Sequence, residues 1–413
     1  MSPSTTLAFP VAQVRQQFPA MERIHRGRPA AYFDGPGGTQ VAAGCIDAMA
    51  GYMRRGGANL HGQFPSSTET EAHIAAARLA MADLLNVSPR EIAFGANSTT
   101  LTLAVARALG RDWKPGDEIV VTEIDHRCNV DPWITQAQDK GAAVRWIRAD
   151  TRSFTLDLGD LDEIINPRTV LVAVNLASNA VGTISDVARI AARARAVGAL
   201  VAVDAVQAVP HFAVDRDALG ADILMCSSYK FFGPHMGIIT LRAGLMEQLP
   251  VYKLKPAPSF IPDRLETGTQ NHEAIAGIPE AVGFIASLGR GATRRERILS
   301  GYGAIEAHEL RLINLMRDCL AALPGITLYQ AGPQVPKTPT LAFTLAGMTP
   351  EAVCARLVED DSVFVASGDF YASTLADKLG LNPAGWVRAG LSPYNTEEEA
   401  ERFCAGVTRL ARH

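Results

Sequence analysis

Seven short apolar segments recur between residues 91 and 242, and polar or helical stretches separate them. Most are nearly continuous runs of apolar, often β-branched residues, which is typical of parallel strands covered on both faces. Helical spacing between the earlier segments predicts βαβ units and an α/β fold with a mainly parallel, doubly wound sheet of about seven strands. In chain order the segments are EIAF, EIVVTE, AVRWIRAD, TVLVAVN, ALVAVDAV, DILMCS and GIITLR.

The pattern changes after the last of these segments. A proline-rich loop from Lys253 to Asn271 leads into helices that run from Glu273 to about Leu323. A smaller α/β portion follows, with a strand LAFTL, a helix from Pro350, a strand SVFVAS, a turn GDFYAS and a terminal helix from Thr396. The C-terminal part is therefore predicted to form a second, smaller α/β unit.

This order of elements predicts three parts of the chain. Residues 1–30 form an N-terminal arm that packs with the small domain and contains a helix over VAQVRQQFPAM. Residues 31–270 form the large domain, which starts with one helix that ends near Arg55 and another from Thr68 to about Leu85. Residues 271–413 form the small C-terminal domain.

Composition narrows the class of protein. The 413 residues are 47% hydrophobic and 20% charged with a net charge of -4, which is ordinary for a globular protein and argues against nucleic-acid binding. The start of the chain lacks the features of a signal peptide, and no stretch approaches the ~18 apolar residues of a membrane span. Six scattered cysteines without a CxxC pair predict reduced thiols in a cytoplasmic protein, with no metal site.

An acid, an amide and an amine follow two neighbouring strand candidates. Asp204 closes the run VAVD, Gln207 comes three residues later, and Lys230 follows the strand DILMCS. Parallel strands end at the same edge of a sheet, where open α/β sheets bind ligands. The three groups suit pyridoxal phosphate, because a lysine forms a Schiff base with its aldehyde, a carboxylate keeps its ring nitrogen protonated and an amide hydrogen-bonds its ring hydroxyl. Read alone, Asp204 is equally consistent with a helix cap.

The segment GANSTTL predicts the phosphate end of such a site. It follows the strand EIAF and opens a helix, so Ser98 and Thr99 lie where backbone amides and the helix dipole favour an anion. The alternative is a plain helix cap at these residues. Ser227, three residues before Lys230, is a further candidate for a phosphate ligand.

Four more residues are candidate site residues only in the context of the lysine, the aspartate and the phosphate segment. His126 follows the strand EIVVTE, where its ring can stack on a pyridine ring; the alternative is a polar loop histidine. Asn179 can reach the cofactor hydroxyl or the substrate, or serve as a turn residue. Arg388 offers a bidentate fork for an α-carboxylate, although a surface arginine is the ordinary reading, and Thr269 alone is only a loop residue.

Together these motifs resemble the class V aminotransferase superfamily of fold-type I pyridoxal-phosphate enzymes, in its cysteine desulfurase and selenocysteine lyase branch. The resemblance covers nearly the whole chain and rests on YFDGPGGTQ, EIDHRCN, ASNAVGT, VDAVQAVPH, SSYKFFGP, LETGTQN and VRAGLSPYNT. It implies a homodimer with shared active sites and a small amino acid as substrate.

The resemblance also implies a role for each candidate. Lys230 is the Schiff-base lysine, Asp204 the ring-nitrogen partner, Gln207 the hydroxyl partner and His126 the stacking histidine. The implied phosphate ligands are Ser98, Thr99 and Ser227, with Thr269 reaching in from the second subunit. Arg388, assisted by Asn179, would hold the substrate carboxylate.

Two departures from the family pattern change the expected reaction. Tyr229 stands where family desulfurases usually have a histidine before the lysine. In the stretch ASGDFYA (Ala366 to Ala372), Tyr371 stands where the family's persulfide cysteine is expected, and a phenol cannot accept sulfane sulfur. Tyr371 is either an acid or substrate contact, or a packing aromatic.

The chain is therefore expected to be a C–S lyase, or a related β- or γ-elimination enzyme, that uses no persulfide cysteine. An aminotransferase or amino-acid epimerase is the enzymatic alternative, and a cofactor-binding scaffold without turnover is the non-enzymatic one. A nicotinamide dehydrogenase is excluded, because no GxGxxG lies between a strand and a helix.

Overall fold

The computed structural model describes residues 9–412, so the part of the predicted N-terminal arm at residues 1–8 lies outside the described residues. The helices are α1 (Val11–Gln16), α2 (Ala43–Arg55), α3 (Pro65–Leu85), α4 (Ser98–Leu109), α5 (Asp131–Lys140), α6 (Leu161–Ile164), α7 (Val187–Ala196), α8 (Arg216–Leu219), α9 (Ala243–Gln248), α10 (His272–Ser287), α11 (Arg294–Ala321), α12 (Pro350–Asp361), α13 (Ser373–Lys378) and α14 (Glu397–Leu410).

The described residues also form seventeen short strands, β1 to β17. They are β1 (Ile24–His25), β2 (Arg28–Pro29), β3 (Ala31–Tyr32), β4 (Ile92–Gly95), β5 (Glu118–Thr122), β6 (Ala143–Ile147), β7 (Ala149–Asp150), β8 (Thr155–Leu156), β9 (Thr169–Asn175), β10 (Leu200–Asp204), β11 (Ile223–Ser227), β12 (Gly237–Leu241), β13 (Ile326–Leu328), β14 (Thr340–Leu345), β15 (Val363–Phe364), β16 (Ala366–Gly368) and β17 (Trp386–Gly390).

One seven-stranded sheet forms the centre of the larger part, in the order β4-β12-β11-β10-β9-β5-β6. Each of its strands coincides with one of the seven apolar segments, so the predicted mainly parallel sheet is confirmed. Strand β12 is its antiparallel member, since it pairs antiparallel with both β11 and β4. The other neighbouring pairs are parallel.

The sheet is buried on both faces, which explains its nearly continuous apolar runs. In β9, Val172 and Val174 belong to the core on one side, whereas Leu171 and Ala173 belong to the core on the other. All four side chains have no exposed surface. Alternation along the strand therefore separates two apolar faces instead of an apolar face from a polar one.

A four-stranded antiparallel sheet, β13-β14-β17-β16, forms the smaller part. The single strand predicted from SVFVAS is wrong, because its two halves pair with different partners. Strand β15 pairs parallel with β3, whereas β16 pairs antiparallel with β17. The predicted N-terminal helix is also shorter, since α1 ends at Gln16 and Pro19 begins a separate 3-10 turn.

Helix α11 runs through both cores. Thr293 and Glu296 form a capping box at its start, in which the Glu296 backbone N–H donates to Thr293 Oγ1 at 3.2 Å. Ile305 in its first half belongs to the core of the large sheet, and Met316 in its second half to the core of the small sheet. Helix α10 packs against α2 and α3, and the boundary at residue 270 stays a prediction.

Within the described residues, no helix combines the length and the apolar composition that crossing a membrane requires. All six cysteines are free thiols.

Candidate active site

The carboxyl ends of the central parallel strands meet at one edge of the large sheet. Strands β9, β10 and β11 end there at Asn175, Asp204 and Ser227, and Asp204 lies beside Asn175 in the pairing of β10 with β9. A cavity of about 370 Å³ opens at this edge. Arg388, from strand β17 of the small sheet, also lines it, so both parts of the chain contribute to the cavity.

Nine of the eleven predicted site residues line this cavity. They are Ser98, Thr99, His126, Asn179, Asp204, Gln207, Lys230, Tyr371 and Arg388. Ser227 does not line it, but its hydroxyl is buried and has no hydrogen-bond partner among the described residues. Thr269 lies in a separate cavity with His61 and Lys253, and its predicted reach into a second subunit stays a prediction.

Lys230 ends a 3-10 turn, Ser228–Lys230, that follows β11 directly. Its Nζ donates to the carbonyls of Pro36 and Gly37, the latter at 3.0 Å. Burial, and then the charge of Arg388, lower the pKa of this amine to about 7. A large fraction of the amine is therefore neutral, and nucleophilic, near neutral pH.

The carbonyls that hold the amine come from a tight Gly/Pro loop after β3. The backbone N–H groups of Gly37 and Gly38 both donate to the Asp34 carbonyl, at 2.9 and 3.0 Å. A Cβ at Gly37 would lie 2.3 Å from Asp34 Oδ2, so any larger residue here would displace the Asp34 carboxylate. The segment YFDGPGGTQ thus supplies the acceptors for Lys230.

Asp204 is almost fully buried and has two donors. Its Oδ1 accepts from the Val206 backbone N–H at 2.8 Å, and its Oδ2 accepts from the Cys128 thiol at 3.6 Å. Burial raises the pKa of the Asp204 carboxyl. A cationic group placed beside it would reverse this effect, because an opposite charge favours the ionised carboxylate.

Behind Asp204 lies a second buried acid, Asp125, which the sequence reasoning missed. It accepts from the Asn129 side chain at 2.7 Å and from the Asn175 backbone N–H at 3.0 Å, and also from the Thr122 hydroxyl. Burial, with a contribution from Asp204, raises its pKa to about 7. The signal available was an aspartate directly before His126 in EIDHRCN.

His126 presents a neutral imidazole to the cavity. Its Nδ1 accepts from the Cys128 backbone N–H at 3.0 Å, which leaves the hydrogen of the neutral ring on Nε2. Burial first, and then Lys230 and Arg388, lower its pKa to about 4. The Tyr371 ring lies 5.2 Å from its centre, tilted by 34°.

Arg388 is 3% exposed and contacts three groups. Its Nη1 donates to the Asn179 carbonyl at 3.0 Å, and its Nη2 lies 3.3 Å from Asp34 Oδ1. The Phe370 ring lies 3.7 Å from its guanidinium carbon. Its Nε is buried and has no partner among the described residues.

A strained loop brings Phe370 and Tyr371 to the cavity. Both adopt left-handed backbone conformations, with φ of +53° and +59°. Their carbonyls accept from Asn179 Nδ2 and from the Arg127 backbone N–H, each at 2.8 Å. Tyr371 itself is 69% exposed, so its phenol lies at the mouth of the cavity. Phe370 and Asp34 are further residues that the sequence reasoning did not assign.

Helix α4 begins at Ser98, and its cap is Asn97. Asn97 Oδ1 accepts from the Thr100 backbone N–H at 2.8 Å. The cap binds the Thr100 N–H and leaves those of Ser98 and Thr99, two residues that line the cavity, without a partner inside the helix. Both residues can bind an anion there.

Gln207 lies at the inner wall of the cavity. One end of its amide lies 3.3 Å from His211 Nε2 and 3.4 Å from Thr340 Oγ1. The other end has no partner among the described residues. His211 Nδ1 in turn lies 2.9 Å from the Glu309 carboxylate.

The fold and the cavity belong to a known class of enzyme. Residues 31–403 match the aminotransferase class-V family, and the chain is a member of that family. Its members use pyridoxal phosphate, so the protein is a pyridoxal-phosphate-dependent enzyme. The enzymatic expectation from the sequence is confirmed.

Individual relatives are named mostly as cysteine desulfurases. The chain is 30% identical to a cysteine desulfurase of Yersinia pseudotuberculosis, over 98% of this chain and 99% of the relative. It is also 30% identical to an aminotransferase-like protein of Gibberella zeae, over 97% of this chain and 98% of that relative. The apo structure of a cysteine desulfurase from Thermococcus onnurineus superposes on this chain with a TM-score of 0.87 and 27% identity. That superposition covers 99% of this chain and 100% of the other.

The residues present fit this cofactor. The cavity offers an amine with a lowered pKa, a buried carboxylate, a neutral imidazole and a helix N-terminus. One end of each side-chain amide of Asn179 and Gln207 is buried without a partner among the described residues. Such unpartnered groups are costly unless a ligand satisfies them.

Proposed function

We propose that the protein acts on a small L-amino acid and breaks a C–S or related bond at Cβ or Cγ without a persulfide cysteine. The observation that carries this proposal is the content of the cavity. Lys230, Asp204 and Arg388 line one space, and the loop from Ala366 to Ala372 brings an aromatic side chain to it instead of a thiol.

Lys230 is the residue that would bind the cofactor aldehyde covalently and later move the substrate Cα proton. Its lowered pKa, about 7, suits both tasks. An amine must be neutral to act as a nucleophile, and a general base works best when its pKa lies near the ambient pH. The carbonyls of Pro36 and Gly37 hold the amine in place.

Six other residues would hold the cofactor. Asp204 would pair with its ring nitrogen, Gln207 would hydrogen-bond its ring oxygen, and His126 would stack on its ring. Ser98 and Thr99 would bind its phosphate at the start of α4, together with Ser227 nearby. The bound cofactor supplies an electron sink for the carbanion at Cα. Asp204 favours that chemistry, since its carboxylate keeps a basic nitrogen protonated.

Arg388 would bind the substrate carboxylate. Its side chain is held by the Asn179 carbonyl and the Phe370 ring, and its buried Nε has no partner among the described residues. Asp34 already lies 3.3 Å from Nη2 and is partly exposed, so a substrate carboxylate would compete with it there. Asn179 assists by fixing both Arg388 and the Phe370 carbonyl.

No thiol in the cavity is suited to accept sulfur. Tyr371 stands in the segment from Ala366 to Ala372, and among the described residues Cys128 is the one cysteine that lines the cavity. Burial, and then the charges of Asp204 and Asp125, raise the pKa of Cys128 well above its usual value. Because the thiolate is the reactive form, Cys128 stays an inert thiol that donates to Asp204.

Transamination or epimerisation is the second candidate. The similarity to an aminotransferase-like protein, at the same identity as to the desulfurase, favours it. Both candidates begin with removal of the Cα proton. In transamination or epimerisation the resulting carbanion is reprotonated, whereas in the lyase reaction it expels a leaving group.

We also propose a cytoplasmic homodimer with shared sites. Three exposed apolar side chains, Tyr252, Leu254 and Phe260, lie on the loop that leads to Thr269 and support a subunit interface there. The six free thiols support a reducing compartment.

Two experiments test the proposal. Lys230→Ala should abolish the absorbance of the covalently bound cofactor, and an unchanged spectrum would defeat the assignment of Lys230. The purified enzyme is then screened against amino acids for sulfide, sulfite, pyruvate or keto-acid products. Rapid release of sulfide from cysteine, unaffected by Tyr371→Ala, would show that the enzyme is an ordinary desulfurase.

A further inference from the structure

A buried chain of three side chains leads from the cavity into the protein interior. Gln207, which lines the cavity, contacts His211, and His211 contacts Glu309 on α11 at 2.9 Å. Each of the three residues is at most 3% exposed. The chain thus connects the wall of the cavity to the helix that runs through both cores.

The pair His211–Glu309 must hold its own charge balance. No lysine or arginine among the described residues is paired with Glu309, and its Oε1 has no partner there. The nearest further acid on the helix, Glu306, adds negative charge. A net negative charge buried here would be costly, so the pair retains one proton more than a carboxylate with a neutral imidazole holds.

That extra proton fixes the state of His211 Nε2. If the carboxyl is ionised, His211 is an imidazolium and both ring nitrogens carry hydrogen. If the carboxyl is neutral, it donates to Nδ1, and the hydrogen of the neutral ring then lies on Nε2. In both arrangements Nε2 is a donor toward Gln207.

The amide of Gln207 must orient to match this donor. The Thr340 hydroxyl, which can either donate or accept, lies 3.4 Å from the same end of the amide and therefore suits either orientation. A half-turn of the amide exchanges its oxygen and nitrogen within one volume, so the His211 donor selects the oxygen for this end. The NH₂ group then occupies the end without a protein partner.

We propose that Glu309 and His211 are positioning residues that keep the NH₂ group of Gln207 directed at the cofactor's ring oxygen. The proposal rests on the proposed function only in placing Gln207 beside that oxygen. A donor in this position stabilises the ring oxygen as an anion over its neutral hydroxyl form.

The first test needs no turnover and uses a variant of the pair only to assign the signal. The holoenzyme is labelled with ¹⁵N-histidine, and the His211 signal is identified by its loss in His211→Asn. At neutral pH we expect Nε2 to carry a hydrogen. A His211 ring with hydrogen on Nδ1 alone would overturn the proposal.

The second test uses the absorbance bands of the bound cofactor at one fixed pH. Gln207→Glu replaces the amide by a group without a donor, and Glu309→Gln removes the acid that fixes the proton. Both should change the ratio of the bands in the same direction, by about fivefold, the effect of one ordinary hydrogen bond. Asp318→Asn, at an exposed acid on the same helix, is the matched control and should leave the ratio unchanged.

The double variant separates positioning from general disruption. If Glu309 acts through Gln207, Glu309→Gln should change nothing further in a Gln207→Glu background. An undiminished additional effect would overturn the proposal. An effect of Gln207→Glu with none of Glu309→Gln would overturn it while leaving the proposed function intact. No effect of Gln207→Glu would overturn both this inference and the placement of Gln207.

Discussion

Lys230 should make the cofactor-free protein less stable near neutral pH. Burial, and then Arg388, lower its pKa from 10.5 to about 7. At about 1.4 kcal/mol per pH unit, the difference corresponds to about 5 kcal/mol of free energy against the folded state at low pH, and about 4 kcal/mol at neutral pH. Lys230→Met removes this charge but also the two hydrogen bonds to the Gly/Pro loop, each worth about 1 kcal/mol. We expect Lys230→Met to raise the free energy of unfolding by about 2 kcal/mol near neutral pH.

The sign of the pH dependence follows from proton binding. Between about pH 7 and pH 10 the unfolded chain keeps the Lys230 proton that the folded protein has released, so the stability of the native sequence rises with pH in this window. The advantage of Lys230→Met should therefore shrink as the pH rises, reach zero at about pH 9 and reverse toward about pH 10, where the loss of the two hydrogen bonds outweighs the remaining charge penalty. When the free energy of unfolding of one protein is subtracted from that of the other, the contributions of the titratable groups that the two proteins share cancel.

Urea denaturation of both cofactor-free proteins, followed by circular dichroism across this pH range, measures the effect. Lys114→Met, at an exposed lysine, is the matched control and should show no comparable gain. A Lys230→Met protein that is less stable near neutral pH, or a stability difference that does not vary with pH, would refute the burial of a charged amine as the cause.

Three further predictions concern catalysis. Asp204→Asn should lower kcat about 10- to 100-fold, because one charge-assisted interaction with the bound ring is lost, while the protein still binds cofactor in an absorbance titration. Arg388→Lys should raise KM by about 10-fold or more with a smaller change in kcat, since lysine lacks the bidentate fork; an unchanged KM would remove Arg388 from the substrate site. Tyr371→Phe should leave kcat within about twofold, since its ring is 69% exposed and packs on His126, and a large loss would instead identify its phenol as an acid.

For the residues that directly follow parallel strands, the sequence was sufficient to predict that they lie together in the cavity. Asp204, Gln207 and Lys230 could be placed together because β10 and β11 are adjacent and parallel, so their carboxyl ends coincide. Ser98 and His126 could be placed for the same reason, after β4 and β5. These inferences need only strand direction and adjacency, which apolar runs and crossover helices indicate.

The remaining residues depend on geometry that no local pattern encodes. Phe370 reaches Arg388 because two consecutive residues adopt left-handed conformations, which aromatic side chains rarely do. Glu309 reaches His211 from a position 98 residues further along the chain, and no spacing rule predicts that contact. The strand predicted from SVFVAS failed likewise, because its pairing is decided by two distant strands.

Helix α11 has a mechanical consequence for the enzyme. Its 28 residues extend about 42 Å as a continuous rod, and its two halves are sealed into separate cores. The arginine contributed by the small sheet therefore cannot swing away from the lysine of the large sheet without breaking this rod or unpacking one core. An amino-acid substrate must therefore enter past the loops at the rim of the cavity. New substrate specificities are most readily acquired by changes in the sequence and length of those loops, while the distance between the two parts of the chain stays the same.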